Sequence, residues 1–394
     1  MKFFVLLIFL SHSLAGWLFA QDSETADQTG NPFKKDEVDK RIEKAVKFLL
    51  TKQKPDGSIY DRGNHTTMTS LALMAMAAVG NQPVNPNDEG KAMQRALDFV
   101  LQEDRQSETG YFGAKDGSRM YGHGITTLTL SEMLGMGLDE KQDQQIRKRT
   151  QKAIDLILRS QKVPKSPSHQ GGWRYSPDSR DADLSATIWQ LMSLRSAKNA
   201  GLNVPSSAIE DAIGYLKRSY WSSIDSKGEP VNKKSGFAYQ PGGHPEYTTT
   251  AAGLLAMQVC GQYESPFVKG AADWLLENGP NTSRKFFYYG TYYYSQAMYQ
   301  RGGDHSKEAR KKVEDILKKL SVEQAYISPS LKHLEERFLK KYNLKPVTDR
   351  LKPAVFFGIY SPADAETIMR HRRAPVVICG GSDVSNVNHV KDKK

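Results

Sequence analysis

A chain of 394 residues with 39% hydrophobic content is long enough to bury one large core or two ordinary ones, which excludes a wholly disordered or multispanning membrane protein. Lys and Arg total 55 against 44 Asp and Glu, and most of the excess falls in residues 304–394, where bases alternate with acids in stretches such as HSKEARKKVEDILKKL, the pattern of a solvated helix face. Without interleaved aromatic residues or a nucleic-acid motif, that charge fits weak attraction to anionic membrane surfaces better than nucleic-acid binding.

Residues 1–20, MKFFVLLIFLSHSLAGWLFA, begin with one Lys and an apolar run and end in the small residue Ala20 before a polar stretch. That is the layout of a signal peptide cleaved near Ala20, predicting an exported, periplasmic or secreted protein. A retained anchor competes with this reading, but the apolar run is short for a bilayer span. Residues 21–35 read as a flexible leader. The two cysteines, Cys260 and Cys379, fall in different units, so no disulfide framework is expected.

From residue 36 a pattern of helix, glycine-aromatic loop and apolar helix recurs roughly every 50 residues, the period of solenoids and closed toroids. Val38, Ile42, Ala45, Val46, Leu49 and Leu50 mark the first helix; the loop QKPDGSIYDRGNH and the apolar helix TTMTSLALMAMAAVG, ending at Gly80, complete the unit. The second copy is AMQRALDFVLQ, a loop through TGYFGAKDGSRMYGHG, and ITTLTLSEMLGMG. KAIDLILRSQ, HQGGWRYSPDSRDAD and LSATIWQLMSLRSAKNAG form the third, and IEDAIGYLKRSYW, KSGFAYQPGGHPEY and TTTAAGLLAMQVCG the fourth. A shorter fifth copy reads VKGAADWLLENG, RKFFYYGTY and YYSQAMYQRGG.

Each second helix is apolar almost all round and must lie inside, while the first helices carry charge on one face and shield it. Tyr60, Phe112, Trp173 and Phe237 are expected to wedge between neighbouring repeats. The predicted fold is all-α, with two concentric helical layers over residues 36–303. A helical linker follows at 304–345. Residues 346–394 read as strand, helix, strand: PAVFFGIY, SPADAETIMRHRR and PVVICGGSD.

QKPDGSIY and HQGGWRYSP, with Gln170, Gly172 and Trp173, resemble the Gln–gap–Gly-x-Trp hallmark of prenyltransferase and squalene-oxidase repeats. In register with five helix pairs, they make the chain similar to the terpenoid-cyclase and protein-prenyltransferase superfamily, which includes the squalene-hopene cyclases. The run GGWRYSPDSRDADLSATIWQLMSLRSAKNAG looks like the secreted cyclase-like proteins of planctomycete-type bacteria. The resemblance implies an α/α toroid whose cavity is lined by the starts of the inner helices. Six pairs are usual there, so five imply an incomplete or irregularly closed ring. The final β-α-β segment faintly resembles the start of a glycosyltransferase domain.

Cyclising relatives protonate an alkene with an Asp-x-Asp-Asp cluster; the matching place is RDADLS, where Asp181 and Asp183 are the candidate acids and Leu184 stands in the third acid's position. Either Asp could equally cap the helix beginning at Leu184. Candidate cavity-lining residues are Tyr121, His123, Trp173 with the adjoining position 174, Tyr239, His244, Tyr247, Tyr289, Tyr292 and Tyr293. As caps or inter-repeat hydrogen bonds the same residues would be structural. Cys260 has no matching Asp and His for a prenyltransferase-type zinc, and His65, His123 and His244 offer no spacing test for a histidine site, so no metal or cofactor is expected. Three functions stay open. The first is an exported cavity protein binding an isoprenoid or other apolar ligand, or an envelope protein partner. The second is a terpene cyclase or isomerase using Asp181 or Asp183 as general acid, and the third a non-catalytic envelope scaffold with a filled, narrow centre.

Overall fold

The computed structural model describes residues 37–60 and 63–319; the expected signal peptide and leader, most of the 304–345 segment and the expected β-α-β segment lie outside them. Eleven α-helices run through the described residues: α1 Glu37–Lys52, α2 His65–Ala78, α3 Asp88–Val100, α4 Arg119–Glu132, α5 Glu140–Gln161, α6 Leu184–Asn199, α7 Ser206–Ser219, α8 Tyr247–Val259, α9 Pro266–Glu277, α10 Phe287–Arg301 and α11 Gly303–Lys319. Among these residues β-pairing is limited to isolated bridges, such as Gln53 with Ile59 and Tyr220 with Phe237.

The even-numbered helices α2 to α10 pack side by side in sequence, α2 on α4, α4 on α6, α6 on α8 and α8 on α10, and the odd-numbered helices α3 to α11 cover them from outside. This is an α/α-toroid arrangement. Burial follows polarity: every residue of α8 from Tyr247 to Gln258 is buried, whereas α5 buries only the stripe Ile146, Thr150, Ala153, Ile154, Leu156, Ile157 and Ser160. Each inner helix packs on the outer helix that follows it, so α11 is the outer partner of α10 and also touches α9. Residues 303–319 therefore belong to the helical array rather than to a linker.

Two inner helices start earlier than their sequences suggest. MYGHG belongs to α4 and FYYGTY to α10, although both were expected in loops. Their glycines serve close approach, not turning. A Cβ on Gly124 would lie 2.6 Å from Gln190 Nε2 and 2.7 Å from Trp189 Cβ, so only glycine allows α4 and α6 to approach this closely at that point; one on Gly290 would lie 2.4 Å from the Tyr247 ring.

The loops are fixed by a repeated device. Where the loop of each of the first three units begins, just after its outer helix, a glutamine amide donates twice, once to a loop glycine carbonyl and once to a carbonyl of the next outer helix. The pairs are Gln53 to Gly57 and Ala92 (3.0 and 2.8 Å), Gln106 to Gly110 and Arg149 (both 3.0 Å), and Gln161 to Gly171 and Ala208 (3.0 and 2.8 Å). Gly171 combines φ +81° with a backbone so close that a Cβ would sit 2.1 Å from the Asp211 carbonyl oxygen, so no other residue serves. Two residues beyond each such glycine a fully or nearly fully buried side chain wedges inward: Ile59, Phe112 and Trp173, with Phe237 at the equivalent place in the fourth unit. In the first unit the wedge is Ile59, while Tyr60, expected in that role, is 52% exposed.

Candidate active site

The backbone N–H of each wedge residue donates into the fourth or fifth residue of the following inner helix. Ile59 reaches Thr69 Oγ1 at 2.9 Å, Trp173 reaches Thr187 Oγ1 at 3.0 Å and Phe237 reaches Thr250 Oγ1 at 3.0 Å. In the second unit Phe112 N–H donates to His123 Nδ1 at 3.3 Å. His123 thus stands where its counterparts are threonines. Its Nε2 donates to the Ala153 carbonyl of α5 at 3.2 Å, and burial pushes the imidazole down to about 3, so it is neutral. It faces the outer layer instead of the ring centre. Tyr121, two residues earlier on the same helix, is rotated by about 200° and faces the centre.

Other expected lining residues divide in the same way. Trp173 is wholly buried between layers, its indole N–H donating to the Ile157 carbonyl at 2.9 Å. His244 is exposed and lies tilted against Trp221, ring centroids 5.4 Å apart. Tyr247 is buried against α10, its hydroxyl 3.1 Å from Thr291 Oγ1. With His65 against Tyr60 at 4.4 Å, the three histidines go to separate partners, and among the described residues no group of His, Cys, Asp and Glu gathers as a metal site.

The ring centre is aromatic. Trp189 of α6 stacks on Tyr292 of α10, centroids 6.1 Å apart, and meets Tyr293 at 5.9 Å; Tyr289 and Tyr292 each pack edge-on to Tyr293 at 4.9 Å. The Tyr121 hydroxyl of α4 lies within electrostatic reach of Tyr289. Side chains from α4, α6 and α10 therefore span the centre, although α10 lies two inner helices beyond α6. Leu71 and Met74 of α2, Tyr121 of α4, Met192 of α6, and Tyr289 and Tyr292 of α10 remain only partly buried where they pack on the main apolar core, to which Trp189 and Tyr293 belong.

Next to this wall stands a carboxyl-guanidinium-phenol group carried by two loops. Asp183 is the N-cap of α6: Oδ1 accepts from Ala186 N–H at 2.8 Å, as expected for a residue just before the first turn. Its side chain is wholly inaccessible, and Oδ2 has no hydrogen-bond partner, lying 3.5 Å from Arg174 Nε. Burial pushes this carboxyl up to about 6; the Ala186 N–H, Arg174 and Tyr239 pull against that rise. Arg174 also pairs through Nη1 with Asp181, which is 48% exposed and rides on the outside of the group. The two aspartates therefore differ: one is sealed and capping, the other an exposed counter-ion. Position 174 supplies charge where aromatic lining was expected.

Tyr239 completes the group. Its carbonyl accepts from Leu184 N–H at 2.9 Å, and its hydroxyl hydrogen-bonds to the hydroxyl of Tyr175. Tyr175 stacks on Tyr121 at 5.9 Å, and its carbonyl accepts from Met120 N–H at 3.0 Å. Burial first, and then the charge of Asp183, raise both Tyr121 and Tyr239, so the two phenols stay protonated. The structure thus brings Tyr121, Asp183, Tyr239, Tyr289, Tyr292 and Tyr293 together, and leaves His123, Trp173, His244 and Tyr247 outside. Arg174 joins them from an expected lining position, and Tyr175 and Trp189 join without a sequence signal of their own, because their meeting depends on two loops and on the contact of α10 with α6.

No family model and no curated protein matches the chain. Among solved structures it is similar to two inactive variants of the α-1,6-mannanase GH76A of Salegentibacter sp. HEL1_6. The variant in complex with α-1,6-mannotetrose has 9% identity and TM-score 0.48 over 71% of this chain and 86% of that one. The variant with α-1,6-mannotriose has 10% identity and TM-score 0.46 over 70% and 86%. It is also similar to the type II terpene cyclase MstE from Scytonema, with 16% identity and TM-score 0.31 over 63% and 79%. The two-layer array stands on its own helix packing, and no activity is carried over from these proteins.

Proposed function

We propose that the protein is an exported toroid that binds an apolar ligand at its aromatic centre, with the ligand's hydrogen-bonding end toward Asp183. The observation that carries this is the convergence of partly buried apolar and aromatic side chains from four inner helices beside a buried carboxyl with an unoccupied oxygen. Oδ2 faces the Arg174 guanidinium at 3.5 Å but receives no hydrogen bond, and a donor on a ligand would satisfy it. An isoprenoid suits the wall, since Trp189, Tyr121 and Tyr292 offer π-faces to a hydrocarbon chain.

A second reading, acid-catalysed isomerisation or cyclisation, is supported by one specific feature: burial raises this carboxyl to about 6, so it keeps its proton in mildly acidic conditions where an ordinary aspartate has lost it. Asp183 would be the acid, Asp181 the counter-ion of Arg174, and the rings the stabilisers of positive charge. Native mass spectrometry for copurifying lipid, with titration of an environment-sensitive apolar dye against wild type and Trp189→Ala, tests the binding reading. Expected are dye binding by wild type and about tenfold weaker binding by the variant, as the loss of one buried aromatic contact implies. No bound lipid and no dye binding would overturn it. Incubation with squalene and shorter prenyl compounds, followed by mass spectrometry, tests the second reading, and product formed equally by Asp183→Asn sinks it.

A further inference from the structure

The chain between α7 and α8 leaves the outer layer as a short two-stranded ribbon. Tyr220 pairs with Phe237 and Ile224 with Pro230, Val231 N–H donates to the Ser223 carbonyl at 3.0 Å, and Asp225 Oδ1 closes the turn by accepting from Lys227 N–H and Glu229 N–H, both at 2.9 Å. The ribbon lies against α9: Tyr220 packs edge-on to Phe267, and a Cβ on Gly270 would sit 2.2 Å from the Lys233 carbonyl oxygen. Its inner face is sealed, with Tyr220, Ser235 and Phe237 buried. The outer face of such a ribbon is where polar residues belong. Here it carries Trp221, Ile224 and Val231, which are 43%, 48% and 60% exposed. Among the described residues seven large apolar side chains are exposed, and three of them fall within residues 221–231. A fourth, Tyr263, sits in the α8–α9 turn, and that turn meets the ribbon tip, since Lys227 and Glu229 share an open cleft of about 390 Å³ with Gln262 and Glu264. Single exposed apolar residues are ordinary; a run of them at one place marks a contact surface.

The charges around the ribbon indicate what it meets. Lys233 pairs with Glu229 at 3.1 Å, Lys234 with Glu277, and Lys269 with Glu264 at 2.8 Å, so these acids are already neutralised. Three bases are left against the one acid Asp225. They are Lys217, over the Phe267 ring at 5.7 Å, Lys227 at the ribbon tip, and Arg301, whose Nη1 donates to the Tyr263 carbonyl at 2.9 Å. The cleft beside the tip opens on charged and polar groups, and Phe267 on its wall is buried, so it offers no apolar pocket to a partner protein's anchor side chain. An indole and branched aliphatic groups beside uncompensated bases suit a headgroup layer instead, where the apolar groups reach the acyl boundary and the bases meet lipid phosphates. We infer that the outer face of the 220–238 ribbon docks on a bilayer surface containing anionic lipid, with Trp221, Ile224 and Val231 as anchors and Lys217, Lys227 and Arg301 as the charges that hold it there. No helix among the described residues is long and apolar enough to cross a bilayer, and the contact is an interfacial one. The backbone pairing of the ribbon, and His244 against Trp221, present the anchors already ordered, so docking costs little conformational entropy. Neither the aromatic centre nor Asp183 takes part, so this surface stands or falls separately from the proposed ligand.

The test uses the full chain with vesicles of phosphatidylcholine alone or mixed with phosphatidylglycerol. Cosedimentation gives the partition coefficient. Quenching by lipids brominated along the acyl chain, taken as the difference between wild type and Trp221→Phe, reports on this one indole. In the mixed vesicles Trp221 should be quenched, and Trp221→Ser combined with Ile224→Ser should lower the partition coefficient at least about tenfold. Lys227→Glu should lower it about tenfold in the mixed vesicles and leave binding to phosphatidylcholine alone as it is. Val84→Ser and Leu138→Ser remove comparably exposed apolar side chains elsewhere on the surface and should match wild type. All these side chains are exposed, and unchanged melting temperatures show that the variants are folded. If another segment carries the protein to the vesicles, Trp221 stays unquenched and the ribbon variants bind as wild type does; that result overturns the proposal, and so does a wild-type protein that binds neither vesicle. A ribbon used for self-association would show instead as a sedimentation coefficient that falls in Trp221→Ser with no binding to vesicles, which overturns it too.

Discussion

Replacing Asp183 by Asn keeps the cap and removes the charge. The amide oxygen can accept from Ala186 N–H as Oδ1 does, since Asn and Asp are comparable N-caps. The two residues differ in what ionisation costs. The folded protein holds this carboxyl at about 6, against 3.8 for an unhindered aspartate, a gap of about 2 pH units or about 3 kcal/mol. The folded-state value is raised, so the folded chain binds the proton more tightly than the unfolded chain does. The resulting stability is fully present below pH 3.8 and is lost as the pH rises through about 6. Urea unfolding of wild type and Asp183→Asn across that window is the assay. The stability of the Asn protein relative to wild type should rise with pH, by a total of about 3 kcal/mol between about pH 4 and about pH 7. A difference that stays constant over the window refutes the reasoning, because it means the carboxyl ionises equally readily folded and unfolded.

His123 gives the opposite slope: its folded value of about 3 lies below 6.5, so its contribution is present above 6.5 and lost as the pH falls. His123→Thr, which restores the acceptor found at the other three positions, should flatten that acid-side loss in urea unfolding. His123→Ala at neutral pH should cost about 3 kcal/mol through a cavity and an unsatisfied Phe112 N–H. Gln161→Ala leaves the Gly171 and Ala208 carbonyls unpaired and should lower stability by about 2 kcal/mol; a change within experimental error would mean water replaces both bonds. Gly124→Val must push α4 from α6 at Trp189, so it should lower both the melting temperature and dye binding, while Gly214→Ala, whose Cβ meets nothing nearer than 3.4 Å, should leave the dye affinity as it is.

The layers were legible in the sequence because they depend on local polarity. An apolar helix such as TTTAAGLLAMQV has no face to give to water, and KAIDLILRSQ has one. The cap at Asp183 was legible too, as one of two readings. Glycine misled where it sat inside helices: in MYGHG and YYGT it permits contact with Trp189 and Tyr247, and nothing local distinguishes that use from a turn. His123 drew attention as a histidine, yet its place is explained by the threonines at the same register of three other units. That is visible only once the loop N–H that each accepts is known. Arg174 and Tyr175 follow the conspicuous Trp173 and have no periodic or motif signal. They gain their place through Asp181, Asp183 and Tyr239, the last 64 residues away from Tyr175.

The glutamine bridges also bear on how the chain reaches this structure as it is made. Each one ties the start of a unit's loop to a carbonyl 39, 43 or 47 residues further on, always in the C-terminal direction. A unit leaving the ribosome or a translocation channel therefore cannot finish its loop until the next outer helix has emerged, and that helix in turn opens the next request. Assembly becomes a ratchet of near-constant stride, with loop-closure entropy met in equal small steps instead of one long closure. Among the described residues the bridges reach as far as α7; beyond it the array closes by helix packing alone, with α11 covering α10, and a chain cut before Gly303 should stall with its last inner helix bare.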